Sequence, residues 1–445
     1  MAHRTILKQE HTFATTERET TREEDFPRWV RPGRSFALLT GCAQLAFLVI
    51  FYKRTNKGVP SPDMDSGAQS CYIGVTLMTF LGFGYLKAFL KAYGLGAVGF
   101  TMLIACLGLQ WAIILDSLAH QSELAVDFPA LLNGNMAVAT VLVSFGALIG
   151  RISPTQIVML VLIELSVYTV NKVFVVHQFD VRPHLHDGGG TIMVHVFGAY
   201  FGLAASLALG PAVKDRLRCS SYQSDIFSLI GTIFLWMFWP TFVAAGQETA
   251  AQQSKAFVNT VLALLTSTVT TFGFTQILQD GKIGTQAVQN ATLAGGVTIG
   301  ASAGIVGPFG AGALGMAAGA LSTVAFARLP FFRAIDTCGI HNLHGLPGIL
   351  GGAFSAFSPL FYSDTGIAPF DQMLSLCSTL LLALFAGFLC GLAFKAVEEL
   401  HDDKDLRRAA SEVGLDPSDL QIEPFSDAAF WVTGDGQPDV PVIEL

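Results

Sequence analysis

Runs of about twenty apolar residues recur twelve times in this chain, and that pattern leaves few folds open. They lie near 35–52, 70–91, 95–116, 128–149, 154–176, 190–210, 225–245, 256–279, 286–304, 306–327, 338–361 and 372–396. A helix of that length crosses about 30 Å of hydrocarbon. In lipid every backbone N–H and C=O must pair internally, so only helices or a closed barrel can span. The runs are dense in Gly, Ala and Leu and lack the alternation of a barrel strand, so they read as helices. Composition agrees, with 51% hydrophobic and only 13% charged residues, where a soluble protein carries about 25% charged. The expected fold is an all-α polytopic membrane protein with about twelve transmembrane helices.

The polar ends divide the chain into an N-terminal tail (1–34), a transmembrane channel domain (35–398) and a C-terminal tail (399–445). Basic residues collect in cytoplasmic loops. If both tails share one side, that side holds 20 of the 26 Lys and Arg, including Lys87, Lys91 and Arg151. The other side holds 6, among them Lys172. Both termini are therefore expected in the cytoplasm, with the protein integral to a membrane, expected to be the plasma membrane. Residues 1–34 lack the apolar core of a signal peptide. A net charge of −8 without a basic cluster argues against nucleic acid as a partner. The seven cysteines show no paired spacing and read as small buried hydrophobes, and the sequon at Asn290 reads as a capping or packing residue.

Two short strings, "DGGGTIMVH" (187–195) and "DTCGIHNLH" (336–344), each set an aspartate eight residues before a histidine, and they recur at an offset of 149. They begin the sixth and eleventh spans. Spans 2–6 and 7–11 then form two units of five helices, repeat A about 70–210 and repeat B about 225–361. Five is odd, so the units cross the membrane in opposite senses, as two inverted repeats with one extra helix in front and one behind. Folds of this kind place the transported species near the bilayer midplane, at the repeat interface. Asp187 and Asp336 are expected at helix starts, complementing the exposed N–H groups and the dipole. Eight helical residues would put each histidine about 12 Å deeper. An ionisable residue inside the membrane points to function. Two neutral imidazoles from antiparallel units can share one proton and present their other nitrogens along a pore. That suits a small polar, uncharged permeant, because an intact cation pays heavily for desolvation.

Longer strings carry a resemblance. "GFGYLKAFLKAYGLGAVGF" (82–100), "VSFGALIGRISPTQ" (143–156), "YQSDIFSLIGTIFLWMFWPTF" (222–242), "QNATLAGGV" (289–297), "DTCGIHNLHGLPGILGG" (336–352) and "FSDAAFW" (425–431) resemble the Rh glycoproteins of the ammonium transporter superfamily. Twelve spans rather than eleven resemble the Rh branch. The resemblance implies an ammonia channel fed by ammonium, a homotrimer in membrane lipid with one pore per subunit, and no cofactor. It assigns His195 and His344 to the pore pair, Phe242 to the outer gate, and Asp187 and Asp336 to the helix-starting acids. It also marks departures. Met136 stands where a second gate phenylalanine is common, Asn135 where many Rh proteins carry Asp, and Lys172 where an acid is common in the outer vestibule. Carbon dioxide, alone or beside ammonia, is the alternative permeant. A third reading is an ammonium sensor or membrane scaffold acting through the C-terminal tail.

An enzyme is not expected. "HLHD" (184–187) reads as a solvated or turn segment of an outer loop and "HNLH" (341–344) lacks the carboxylate context of a zinc site, so no metal is expected. His341, three residues before His344, reads as facing an inner vestibule or a neighbouring helix.

Overall fold

The computed structural model describes residues 34–55, 66–177, 186–210, 220–331, 333–363, 365–400, 427 and 431. The expected N-terminal tail lies outside these residues, as does most of the C-terminal tail. Twelve helical segments follow in chain order, at the places the apolar runs predict. They are α1 (Arg34–Arg54), α2 (Ser66–Leu77, extended by a π-helical turn Met78–Gly82 and a last turn Phe83–Leu86), α3 (Gly94–Ala119) and α4 (Phe128–Leu148). Then come α5 (Pro154–His177), α6 (Phe197–Leu209, entered through a π-helical turn Thr191–Val196), α7 (Tyr222–Ala245) and α8 (Ala250–Leu278). The last are α9 (two pieces, Thr285–Ala291 and Ala294–Ile299), α10 (Pro308–Arg328), α11 (Leu346–Phe357, entered through a π-helical turn His341–Gly345) and α12 (Pro369–Leu400).

Ten of these are long and apolar enough to cross a membrane. The exceptions are α9 and α11, which are too short and sit in the middle of the bundle, where most of their residues are buried. A segment inside the bundle can satisfy its backbone from neighbours instead of from one unbroken helix. By contrast α1 has only Phe47 buried among its described side chains and packs on α3 and α5 from outside. Apolar residues are also exposed on α8, α10 and α12, including Val269, Met316 and Phe385, as expected of surfaces that face lipid or another subunit. Cys42, Cys106 and Cys377 lie on such exposed faces, so only Cys338 and Cys390 fit the buried reading of the described thiols.

The halves meet where α2 crosses α7. A Cβ added at Gly82 would meet the Leu235 side chain at 2.8 Å, and one at Gly231 would meet the Leu86 backbone N at 2.1 Å. These contacts are reciprocal: Gly82 with Gly231 and Leu86 with Leu235 both stand 149 residues apart, the spacing of the two aspartates and the two histidines. Glycine is needed at Gly231 because the α2 backbone occupies the space of a methyl group. The exchange of partners across one crossing is what a twofold relation between the halves produces.

Contacts at the helix ends follow the expected alternation of sides. Arg54, after α1, reaches the α3–α4 connection, where its guanidinium donates to Ser122 O at 3.0 Å. At the opposite end Arg151 donates to Ser206 O at 2.8 Å and Gly210 O at 2.6 Å, satisfying carbonyls at the end of α6. Two basic residues assigned to loops are not loop residues in the ordinary sense. Arg151 is buried in this cap, and Lys87 is buried among aromatic rings at the end of α2.

Candidate functional site

Each repeated string folds the same way. Gly190 and Gly339, three residues after each aspartate, take left-handed φ values of +67° and +77°. Glycine adopts that conformation without a Cβ penalty. The turn swings the chain back over the aspartate. Asp187 then accepts from Ile192 N at 3.1 Å and Met193 N at 2.8 Å, and Asp336 accepts from Ile340 N and His341 N, both at 2.8 Å. Both acids therefore satisfy N–H groups that a helix start leaves open. One expectation is corrected here. The residues after each aspartate form a turn, so the helices begin at Thr191 and His341 and the histidines stand in the first turn. Each lies nearer its aspartate than 12 Å of helical rise implies.

Both histidines sit on π-helical turns, which change the phase of a helix relative to α-geometry. His195 and His344 meet with ring centroids 5.1 Å apart and planes at 16°, their Nδ1 atoms 3.2 Å apart. Both are buried, and His195 Nε2 has no hydrogen-bond partner. At 3.2 Å one Nδ1 donates and the other accepts. The ring that donates through Nδ1 keeps an acceptor at Nε2, and the other ring carries a donor there. The neutral pair thus offers one donor and one acceptor to whatever lies beside it.

The pair is walled by rings. Trp239 stacks on His195 at 5.4 Å and on His344 at 6.4 Å, Phe83 stacks on His344 at 6.3 Å, and Phe242 tilts against His195 at 6.3 Å. Trp239 and Phe83 come from α7 and α2, the two helices of the central crossing. Neither was singled out from the sequence. The available signal was the spacing Trp239-x2-Phe242, which puts both rings on one helical face.

The other predicted residues divide. Phe242 touches His195, whereas Met136 is half-buried on α4 and packs against the apolar core. Asn135 is not exposed at a vestibule. It is 1% exposed, and its amide donates to Thr76 Oγ1 at 3.2 Å, tying α4 to α2. The helical phase of α4 turns it inward, which one residue's identity could not reveal. Lys172 lines a cavity at one end of the bundle and pairs with Asp116 at 3.3 Å; His120 approaches the same carboxylate at 3.7 Å. That cavity holds about 70 Å³ between α3, α4 and α5 and is also lined by Glu123 and Tyr168. The lysine that reverses the expected sign therefore arrives with its own counter-ion. His341 packs edge-on to Tyr200 at 5.9 Å and against Phe331 at 5.3 Å. Asn290 is buried, its amide donating to Cys338 O at 2.9 Å, which fits a packing role.

Twelve helical segments around a buried, ring-walled histidine pair define a polytopic membrane protein of the transporter and channel class. The profile of the Ammonium Transporter Family matches residues 68–416. Ammonium transporter Rh type B-A of Xenopus laevis is 35% identical over 404 residues, 83% of each chain. Ammonium transporter Rh type A of Canis lupus familiaris is 40% identical over 317 residues, 68% of this chain and 75% of the relative. Among solved structures, Nitrosomonas europaea Rh50, of the Rhesus protein family of channels, superposes with a TM-score of 0.69 at 35% identity, covering 78% of this chain and 96% of that one. Candida albicans Mep2, at 19% identity and a TM-score of 0.65, shares the fold. The chain belongs to the ammonium transporter family and, within it, stands with the Rh proteins.

Proposed function

We propose that this protein conducts ammonia across a membrane through a pore in each subunit whose narrowest point is the His195–His344 pair. The observation that carries the reading is the buried pair with its shared Nδ1 contact and the unpartnered Nε2 of His195. Ammonia is small and uncharged, and it both donates and accepts one hydrogen bond at a time along such a file. Ammonium reaching the outer mouth leaves its proton there, because an intact cation pays a large desolvation cost among Phe, Trp and imidazole rings. Phe242 and Met136 serve as the outer gate in this reading, and Asp187 and Asp336 hold the two histidine-bearing turns in register.

Homology with Rh proteins supports a homotrimer in lipid, and the exposed apolar faces of α8, α10 and α12 are available for subunit and lipid contact. The excess of basic residues on one side supports cytoplasmic termini. Asp427, in the C-terminal tail, binds the N-terminus of α3, so the tail shares a side with the Lys87–Lys91 connection. The test is an ammonia-dependent pH change inside proteoliposomes of purified protein. Acceleration over protein-free vesicles supports the reading, and equal rates overturn it.

Carbon dioxide is the second reading. It is favoured by the Lys172–Asp116 pair, which leaves the outer cavity less attractive to cations than a free carboxylate would. Stopped-flow carbon dioxide permeability in a low-permeability bilayer removes it if protein adds nothing.

A further inference from the structure

Lys87 does not belong where it lies if its role is only to fill space. It is 2% exposed, at the end of α2. Its Nζ stands over two phenyl rings, 5.3 Å from the centroid of Phe83 and 5.4 Å from that of Phe145, and donates to Leu142 O at 3.4 Å. Among the described residues no carboxylate lies within ion-pair distance of it; both ion pairs found there involve Asp116, at the outer side. A leucine or methionine would pack between those rings at no electrostatic cost, whereas burying an amine in apolar surroundings is expensive. The ring faces and the carbonyl offset that cost for a positive charge, as cation–π contacts do when desolvated.

The amine is one ring from the pore. Phe83, whose ring contacts Nζ, also stacks on His344 at 6.3 Å. Lys87 follows Phe83 by four residues, about one turn further along in the 3-10 turn Lys87–Phe89, on the side of the ring that stacks on His344. A cargo leaving the pair on the His344 side would pass this amine, which places a positive charge in a medium of low dielectric whenever it is protonated. Like charges repel strongly there, and a positive group beside a narrow path excludes cations while admitting neutral molecules.

We infer that Lys87 is the specificity-determining residue that denies ammonium the inner half of the pore and so makes transport electrically silent. The inference rests on the twin-histidine reading above. Neutral ammonia passes the amine without an electrostatic cost, and the proton left at the outer mouth has no carrier.

The test measures ammonium-evoked current and ammonia-dependent pH change on the same proteoliposomes, comparing the wild type with Lys87→Met, Lys87→Gln and Lys87→Arg. The wild type moves ammonia without matching current. The Met and Gln variants still move ammonia, and their charge carried per nitrogen rises by at least about tenfold. The Arg variant, which keeps the charge, stays silent. Silent Met and Gln variants that still move ammonia overturn the inference, as does a wild-type current that matches the flux. Failure of both neutral variants to insert overturns it too, by making Lys87 a structural tie. Retained flux in histidine-substituted protein defeats the pore reading instead, so the two failures are told apart.

Discussion

His195 and His344 are held by backbone chemistry that begins eight residues earlier. Asp187 takes two helix-start N–H groups. Removing the carboxylate leaves buried donors open, so Asp187→Ala should lower stability by about 1–2 kcal/mol, with Asp187→Asn milder. Thermal unfolding of purified protein in detergent checks this. Lys172 works at the same scale with less at stake. Its pair with Asp116 is half-exposed, and such pairs contribute about 0–1 kcal/mol. Lys172→Met should therefore leave folding unchanged and raise apparent ammonium affinity by no more than about fivefold. The gain should shrink as salt is added, because screening shortens the reach of Asp116. A concentration series of flux at low and high salt reads both effects.

At the scale of elements, the α2–α7 crossing decides whether the ring wall exists at all. Trp239 and Phe83 ride on these two helices, and the helices touch through Gly231 and Gly82. A methyl at Gly231 meets the α2 backbone at 2.1 Å, but one at Gly82 meets first the Leu235 side chain at 2.8 Å, which can rotate, and the α7 backbone only at 3.3 Å. Gly231→Ala should thus cost more than Gly82→Ala, by about 1–3 kcal/mol, and reduce flux by separating Trp239 from the pair. The docked tail is a second element-scale device. Asp427 accepts from Leu95 N at 2.7 Å and Gly96 N at 2.6 Å, capping α3, and the Trp431 ring tilts against Phe100 at 5.4 Å above Gly99. A Cβ at Gly99 would stand 2.1 Å from the Trp431 ring. Asp427→Ala and Gly99→Val should each release the tail and speed its limited proteolysis, with the transmembrane core left resistant. Equal cleavage rates in wild type and variants would show that the cap does not hold the tail.

At the scale of the molecule, the apolar runs and the duplicated Asp-x7-His spacing made most of the architecture legible. Helix number followed from the length of hydrocarbon to be crossed, and the histidine contact followed from their matched offset. What stayed hidden depended on phase and on three-dimensional neighbours. The π-helical turns at Thr191–Val196 and His341–Gly345 reset which face points inward, and no composition signals them. The resemblance puts Asn135 at the vestibule as a position where many Rh proteins carry Asp, yet the rotation of α4 aims it at Thr76. Lys87 reads as a loop cation from its place near the end of an apolar run, yet it opens a 3-10 turn, Lys87–Phe89, that follows α2 and is buried. Trp239 went unremarked because its value lies in stacking on a residue 44 positions away.

The two halves share one claim, that neither alone makes the pore and that the pair they form together carries the cargo. Ammonia-driven pH change in proteoliposomes tests it most directly when wild type is compared with His195→Leu and His344→Leu at equal protein content. Leucine keeps the volume and removes both hydrogen-bonding nitrogens, so each variant should lose most of the flux above protein-free vesicles while remaining folded. Folded variants that move ammonia as fast as wild type by the same route would contradict the account.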